Sequence, residues 1–175
     1  NTGRKILKKT VSAINNLLSE QYLSSIKKLV NKIYSKDHIY IIGRGLSYPV
    51  ALESALKIKE VSYIHAEGFD GGELKHGVIA IVEEGTPCLV FAPNYETYEA
   101  TISGAQEMKS RGGFIIGASP QNNEVFNYFL PVADCGDGSA IANTVVAQLL
   151  AYYLTIKKGL DPDKPRNLAK SVTVK

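Results

Sequence analysis

The chain has 175 residues, of which 45% are hydrophobic and 21% charged, and its formal net charge is +3. This composition is typical of one globular domain and excludes a disordered chain. The basic residues are scattered, which argues against a nucleic-acid binder, and no apolar run approaches the roughly 20 residues of a membrane span. We therefore expect a cytoplasmic protein that binds neither nucleic acid nor membrane. The first residue is not methionine, which suggests a piece of a longer protein.

The N-terminal segment predicts helical structure. Apolar residues recur at helical spacing from Ile6 to Leu18 and again from Leu23 to Ile33, which indicates two amphipathic helices or one broken helix. We assign residues 1–36 to helices that pack on a domain over residues 37–160. The remaining residues, 161–175, contain two prolines, and we expect them to form an irregular tail that covers the functional site.

Short apolar runs alternate with helical patterns through the rest of the chain. The predicted strands are "HIYIIG", "YIHAEG", "CLVFAP", "FIIGAS" and "YFLPVA". Helices are predicted over 48–61, within 95–112 and over 139–159. This alternation predicts a three-layer αβα sandwich with a parallel, flavodoxin-like sheet of about five strands. Ligands of such sheets bind beyond the carboxyl ends of the strands, where we expect "GRGLSYP" and "HAEGFDGGELKHG".

The turn after the first predicted strand is a candidate anion site. Gly43, Arg44 and Gly45 lie between a strand and a helix start, an arrangement that points backbone N–H groups at a negative charge. The turn is shorter than a dinucleotide-binding fingerprint, and no phosphate-loop lysine follows it. A tight turn without a ligand is therefore an equal alternative.

The helix that follows carries the most informative spacing. Glu53, Lys57 and Glu60 lie at i, i+4 and i+7, so they share one face, and Lys57 can contact Glu60. Such a face is normally a solvated surface with an ion pair. Because the rest of this helix is largely apolar, we also consider a chemical role, in which Glu60 transfers a proton and Lys57 stabilises negative charge on a substrate oxygen.

Other candidates are single residues. His76, in a glycine-rich loop, is either a surface histidine or an acid/base group, whereas we interpret His38 and His65 as structural. Lys170 lies in a tail segment that is too apolar to be simply solvated. Cys88 is predicted to be a buried thiol of a strand. The sequence has no His-x-x-x-His or Cys-x-x-Cys spacing, so we predict no metal site.

Three segments resemble a known family. They are "GRGLSYPVALESALKIKEVSYIHAEGFDGGELKHG", "FAPN" and "DKPRNLAKSVTV", and they are similar to the second sugar isomerase (SIS) domain of the glucosamine-6-phosphate synthases, or glutamine:fructose-6-phosphate aminotransferases. The resemblance runs from about residue 37 to the end of the chain. It implies conversion of fructose 6-phosphate and glutamine-derived ammonia into glucosamine 6-phosphate. It also implies fructose 6-phosphate, glucose 6-phosphate or glucosamine 6-phosphate as ligands, a homodimer, and no metal or organic cofactor.

The resemblance assigns roles to matching residues. Glu60 matches the base that moves a proton between C1 and C2 of the open-chain sugar, and Lys57 matches the cation beside the enediolate oxygen. His76 resembles the histidine that opens the sugar ring and reaches the site from a neighbouring subunit. Lys170 resembles the lysine that forms a Schiff base with the ketone. The expected substrate-binding residues are Gly43, Arg44, Gly45, Glu53 and Ala169.

The chain also departs from the family. The family binds the sugar phosphate on a Ser-x-Ser-Gly-Glu-Thr loop of its first SIS domain, whereas the corresponding strand end here is "APNYETYE", in which Thr97 is the hydroxyl besides the tyrosines. The N-terminal cysteine nucleophile of the glutaminase domain is absent too. We therefore expect the first SIS domain and the glutaminase domain elsewhere in the full protein. The alternatives are a stand-alone phosphosugar isomerase with one SIS domain, a sugar-phosphate-sensing module of transcriptional regulators, and a non-catalytic dimerisation module.

Overall fold

The structure, a computed structural model, describes residues 2–167. Within these residues the chain forms five α-helices and five β-strands. The helices are α1 Thr2–Leu17, α2 Glu20–Ile33, α3 Ser47–Ser62, α4 Tyr98–Lys109 and α5 Ser139–Lys157. The strands are β1 His38–Gly43, β2 His65–Asp70, β3 Pro87–Phe91, β4 Phe114–Ser119 and β5 Tyr128–Pro131. Three short 3₁₀ turns cover Leu74–His76, Val78–Ile81 and Gly136–Gly138.

All five strands lie in one parallel sheet. Their order is β2-β1-β3-β4-β5, and every neighbouring pair is parallel. This is the flavodoxin-like order, in which the chain changes direction across the sheet between β1 and β3. The three central strands are buried along nearly their whole length, which explains their continuous apolar sequences. The predicted fold class and the five predicted strands are confirmed.

Two apolar cores cover the two faces of the sheet. Ile39 and Ile41 of β1 belong to the larger core, to which α1, α2, α3 and α5 contribute. Tyr40 and Ile42, which alternate with them along β1, belong to the smaller core with α4. This alternation follows from the two-residue period of a strand, and it gives the predicted three layers with four helices on one face and one on the other.

The N-terminal segment forms two separate helices, which resolves the alternative left open by the sequence. Ser19 caps α2, because its hydroxyl accepts the backbone N–H of Tyr22 at 3.4 Å. Ala13 of α1 and Ile26 of α2 are buried in the same core as the sheet. Both helices therefore share their apolar core with the sheet. The division of the chain at residues 36 and 160 stays a prediction.

Helix α5 corrects one expectation. The 22-residue helical stretch 136–157 contains an 18-residue window that is long and apolar enough to cross a membrane by length and composition. The expectation that no segment approaches a membrane span was therefore wrong by this measure. Half of that window is buried inside the protein, and Val146, Leu150 and Leu154 are fully buried in the larger core. Burial in that core accounts for the apolar composition of α5.

Two glycines set the position of α3 on the sheet. A Cβ atom on Gly43 would collide with the backbone carbonyl of Ser47, and one on Gly68 would lie 2.6 Å from the carbonyl oxygen of Ala51. The backbone of α3 therefore lies directly against β1 and β2, at a distance that any larger residue at these two positions would increase.

Candidate functional site

The predicted charged face of α3 forms a compact ion cluster. The Nζ atom of Lys57 lies 2.6 Å from Oε2 of Glu60 and 3.7 Å from Oε1 of Glu53. The side chains of Glu60 and Lys57 are 26% and 32% exposed, and that of Glu53 is 43% exposed. The cluster is thus neither a fully solvated surface pair nor a buried one. A ligand can reach it, and its charges are only partly screened by water.

The charge of Lys57 is stabilised by its neighbours. The hydrogen bond with Glu60 is the main cause that raises the pKa of Lys57 above its ordinary value of 10.5, with Coulombic attraction to Glu60 and Glu53 adding to it and burial opposing it. Lys57 is therefore an ammonium group at neutral pH. A fixed cation beside a carboxylate is an arrangement that can stabilise an oxyanion and transfer a proton in the same step.

Several polar groups of the glycine turn at the carboxyl edge bond within the protein, whereas Nε of Arg44 and Oγ of Ser47 are buried without a hydrogen-bond partner among the described residues. The N–H groups of Ser47 and Tyr48 donate to the carbonyls of Arg44 and Gly45, at 3.0 and 3.1 Å. Arg44 donates from Nη2 to the carbonyl of Gly71 at 3.0 Å, so its side chain ties this turn to the loop after β2. Gly45 has a φ of 54°, a left-handed conformation that favours glycine. These contacts describe a closed turn, and the anion-binding role of Gly43, Arg44 and Gly45 stays a prediction.

Glu60 and His76 lie at opposite edges of the sheet. Helix α3 runs from the carboxyl edge back to the amino edge, so Glu60, in its last turn, lies near the start of β2. His76 follows the carboxyl end of β2 and is exposed. The six residues of β2 span about 17 Å. The structure therefore does not bring His76 to the Lys57–Glu60 pair within one chain, although "GRGLSYP" and "ELKHG" both lie at the carboxyl edge as predicted.

The two remaining histidines contact each other at the amino edge. His38 and His65 are direct partners in the register of β1 and β2, and their Nδ1 atoms lie 3.1 Å apart. Which ring nitrogen donates and which accepts depends on the tautomers of the two rings. Cys88 is fully buried in β3, as predicted, and burial raises the pKa of its thiol to about 12.

A contact that sequence analysis missed lies beside Glu60. Tyr63 follows the last residue of α3 with left-handed backbone, at φ 58° and ψ 18°. Its hydroxyl accepts the backbone N–H of Arg166 at 2.8 Å, and the guanidinium of Arg166 lies 4.0 Å from the centre of its ring. No sequence spacing signals a contact between residues 103 positions apart. Ala169 and Lys170, predicted from the tail sequence, lie outside the described residues.

Comparison with known proteins identifies the fold. The sequence pattern of the SIS domain matches residues 32–158. The chain belongs to the SIS domain family. A protein from Pyrococcus horikoshii named glutamine–fructose-6-phosphate aminotransferase (isomerizing) is 47% identical to this SIS domain over 152 residues, which are 85% of this chain and 25% of that protein. A protein of the same name from Caldanaerobacter subterraneus is 42% identical over 96% of this chain and 28% of its own length.

Solved structures agree with these relatives. The C-terminal domain of glucosamine-fructose-6-phosphate aminotransferase from Francisella tularensis matches 90% of this SIS domain and 45% of that chain, at 36% identity and a TM-score of 0.82. A glucosamine-6-phosphate deaminase from Thermotoga maritima matches 88% of it and 46% of that chain, at 31% identity and a TM-score of 0.67. The resemblance seen in the sequence is thus confirmed. The SIS domain spans about a quarter of the length of the curated relatives that it matches.

Proposed function

We propose that this SIS domain is the isomerase half of a glutamine:fructose-6-phosphate aminotransferase, and that it acts within a longer protein. The observation that carries the proposal is the 2.6 Å contact between Lys57 and Glu60 on a half-buried helical face. A carboxylate held beside an ammonium group is what enolisation of a sugar phosphate requires. The relatives at 41–47% identity that carry this name support the choice of substrate.

The proposed reaction divides into three events. Ring opening of fructose 6-phosphate exposes the C2 ketone, to which the amine of Lys170 adds with loss of one water. Ammonia then takes the place of the lysine on C2 and releases the free amine of Lys170. Glu60 takes a proton from C1 and returns it to C2, while Lys57 stabilises the negative charge on the neighbouring oxygen. The sum is fructose 6-phosphate plus ammonia giving glucosamine 6-phosphate plus water.

His76 is proposed to act in the site of a second subunit. Within one chain it lies about one strand length from Glu60, and a C2 dimer is the commonest way to place such a residue against a partner's site. The proposal therefore includes a homodimer in which each site combines Glu60 and Lys57 of one subunit with His76 of the other. The sugar phosphate group and the ammonia are assigned to further domains of the longer protein.

Replacement of Glu60 by Gln in the full-length protein tests the function. The amide keeps the shape of the side chain but cannot accept the C1 proton, so we expect glucosamine 6-phosphate formation to fall at least about a hundredfold. Glutamine hydrolysis should stay within about twofold of the wild type, because it occurs in another domain. E99Q, at an exposed position of α4, is the matched control. Wild-type product formation by E60Q would refute the assignment.

A stand-alone phosphosugar isomerase is the second candidate, and calorimetry separates it from the first. The turn after β3 offers Thr97, beside Gly45 of the glycine turn, as a hydroxyl for a phosphate. Saturable binding of fructose 6-phosphate to the isolated 175-residue chain would favour the one-domain isomerase. The leading proposal predicts no binding, because the phosphate site lies in the other SIS domain.

A further inference from the structure

We propose that His38 and His65 form a binding site for a divalent ion of the late first-row transition metals, such as Zn²⁺, Ni²⁺ or Cu²⁺. The two residues are direct partners in the parallel register of β1 and β2, and their Nδ1 atoms lie 3.1 Å apart. Imidazole nitrogen is a preferred ligand of these ions, whereas Mg²⁺ and Ca²⁺ prefer oxygen. Neither histidine takes part in the proposed isomerase reaction, so the metal site and that function can be tested separately.

The distance between the two Nδ1 atoms fits a shared metal ion. Bonds from Zn²⁺ to imidazole nitrogen are about 2.0–2.1 Å long, so two nitrogens 3.1 Å apart subtend an angle of about 98° at a common ion. This angle lies between the right angle of octahedral coordination and the angle of about 109° of a tetrahedral ion. In the bound form both rings carry their proton on Nε2, and the ion takes the place of the hydrogen bond between the Nδ1 atoms.

The backbone holds the two histidines side by side. The N–H of His65 donates to the carbonyl of Asp37 at 3.1 Å, which joins the start of β2 to the start of β1. Both side chains are exposed, so an ion in solution can reach them and each ring can turn its lone pair toward that ion. Two ligands on hydrogen-bonded strands are positioned before the ion binds, which lowers the entropic cost of binding.

The surroundings of the pair carry more negative than positive charge. Glu67 lies on the same face of β2 as His65, two residues further along the strand. A cavity of about 140 Å³ lies beside His38. Its charged lining residues are Asp37, Glu83, Glu84 and Lys36. The excess of carboxylates raises the local concentration of cations near the two rings.

The pair supplies two ligands and leaves the other coordination positions open. Among residues 2–167, no group of three or more histidines, cysteines and carboxylates is arranged to hold a metal ion. Water or a group from outside these residues must therefore complete the coordination, and we expect an exchangeable ion rather than a closed structural site. The prediction that the chain has no metal site rested on spacing within one segment, whereas these histidines are 27 positions apart and meet through the strand register.

Calorimetric titration of the full-length protein with Zn²⁺ tests the site. H38Q and H65Q each remove one ligand at an exposed position, and we expect each variant to bind this ion at least about tenfold more weakly than the wild type. H76Q removes the third histidine of these 175 residues and is the matched control, which should keep the wild-type affinity. Titrations with Mg²⁺ should not differ between the wild type and either variant, because imidazole does not bind Mg²⁺ well.

The double variant H38Q/H65Q shows whether the two rings bind one ion together. A shared ion is lost when either ring is removed, so the double variant should bind Zn²⁺ no more weakly than the single variants. Wild-type affinity in both single variants would overturn the site. A loss in one single variant alone, or separate losses that add in the double variant, would show binding by individual histidines and would also overturn it.

Discussion

The two ends of α3 make opposite use of their polar groups. At the carboxyl edge of the sheet, the turn before α3 bonds to itself and to the loop after β2 through Arg44. Toward the amino edge, Lys57 and Glu60 form a half-exposed pair, and Tyr63 receives the C-terminal tail. The general rule for parallel sheets directs attention to the carboxyl edge. Here the groups most suited to proton transfer lie nearer the other edge.

Subunit complementation should give the largest effect, because it tests whether Glu60 of one subunit and His76 of the other form one site. E60Q and H76A variants of the full-length protein should each lose product formation. In the proposed homodimer, exchange of subunits makes half of the dimers mixed, and one of the two proposed sites in each mixed dimer has both wild-type residues. We expect activity to return to about 25% of the wild type. No recovery, in mixtures shown to contain mixed dimers, would place His76 in the same site as its own Glu60 or in no site.

Removal of the cation should have the next largest effect. K57M keeps most of the side-chain volume but leaves Glu60 and Glu53 without an ammonium group, and we expect kcat to fall about a hundredfold. K59M, on the exposed side of the same helix, should have ordinary activity. If the kcat of K57M is near that of K59M, Lys57 has no role in the mechanism.

Because the pKa of Lys57 is raised in the folded protein, its contribution to stability should be complete at neutral pH and be lost as pH rises beyond 10.5.

The contact between Gly43 and α3 predicts a stability effect. G43A places a methyl group against the carbonyl of Ser47, so α3 must shift, and we expect the free energy of unfolding to fall by about 3 kcal/mol in denaturant titration. G3A is the control, since a Cβ at Gly3 has nothing within 4 Å. If G43A unfolds at the wild-type denaturant concentration, α3 is not seated by this glycine.

Arg44 should give the smallest effect. R44A removes the bond to the Gly71 carbonyl, and we expect a loss of about 1 kcal/mol of stability with no change in fructose 6-phosphate affinity in the full-length protein. R4A, at an exposed position of α1, should change neither quantity. A loss of sugar-phosphate binding in R44A at wild-type stability would instead support the predicted anion-binding role of the turn.

Features fixed by local periodicity could be predicted from the sequence. The three central strands followed from continuous apolar runs that are buried, and the Lys57–Glu60 contact followed from i, i+3 spacing because helix geometry makes those side chains neighbours. The distance of His76 from Glu60 was not predicted, since it depends on the direction of α3 relative to the sheet. The contact of Tyr63 with Arg166 depends on where a tail returns after 103 residues, which no local pattern encodes.

The direct contact of α3 with Gly43 and Gly68 also affects how the sequence of this domain can evolve. Side chains elsewhere in the core set the spacing of most helices above a sheet, so substitutions there shift those helices. Backbone contact instead holds α3 at the smallest distance from the sheet that a helix can have. The apolar interior can thus vary in sequence while the height of Glu60 and Lys57 above the strands stays the same, so that selection on the proposed proton-transfer face and selection on the core can proceed largely independently.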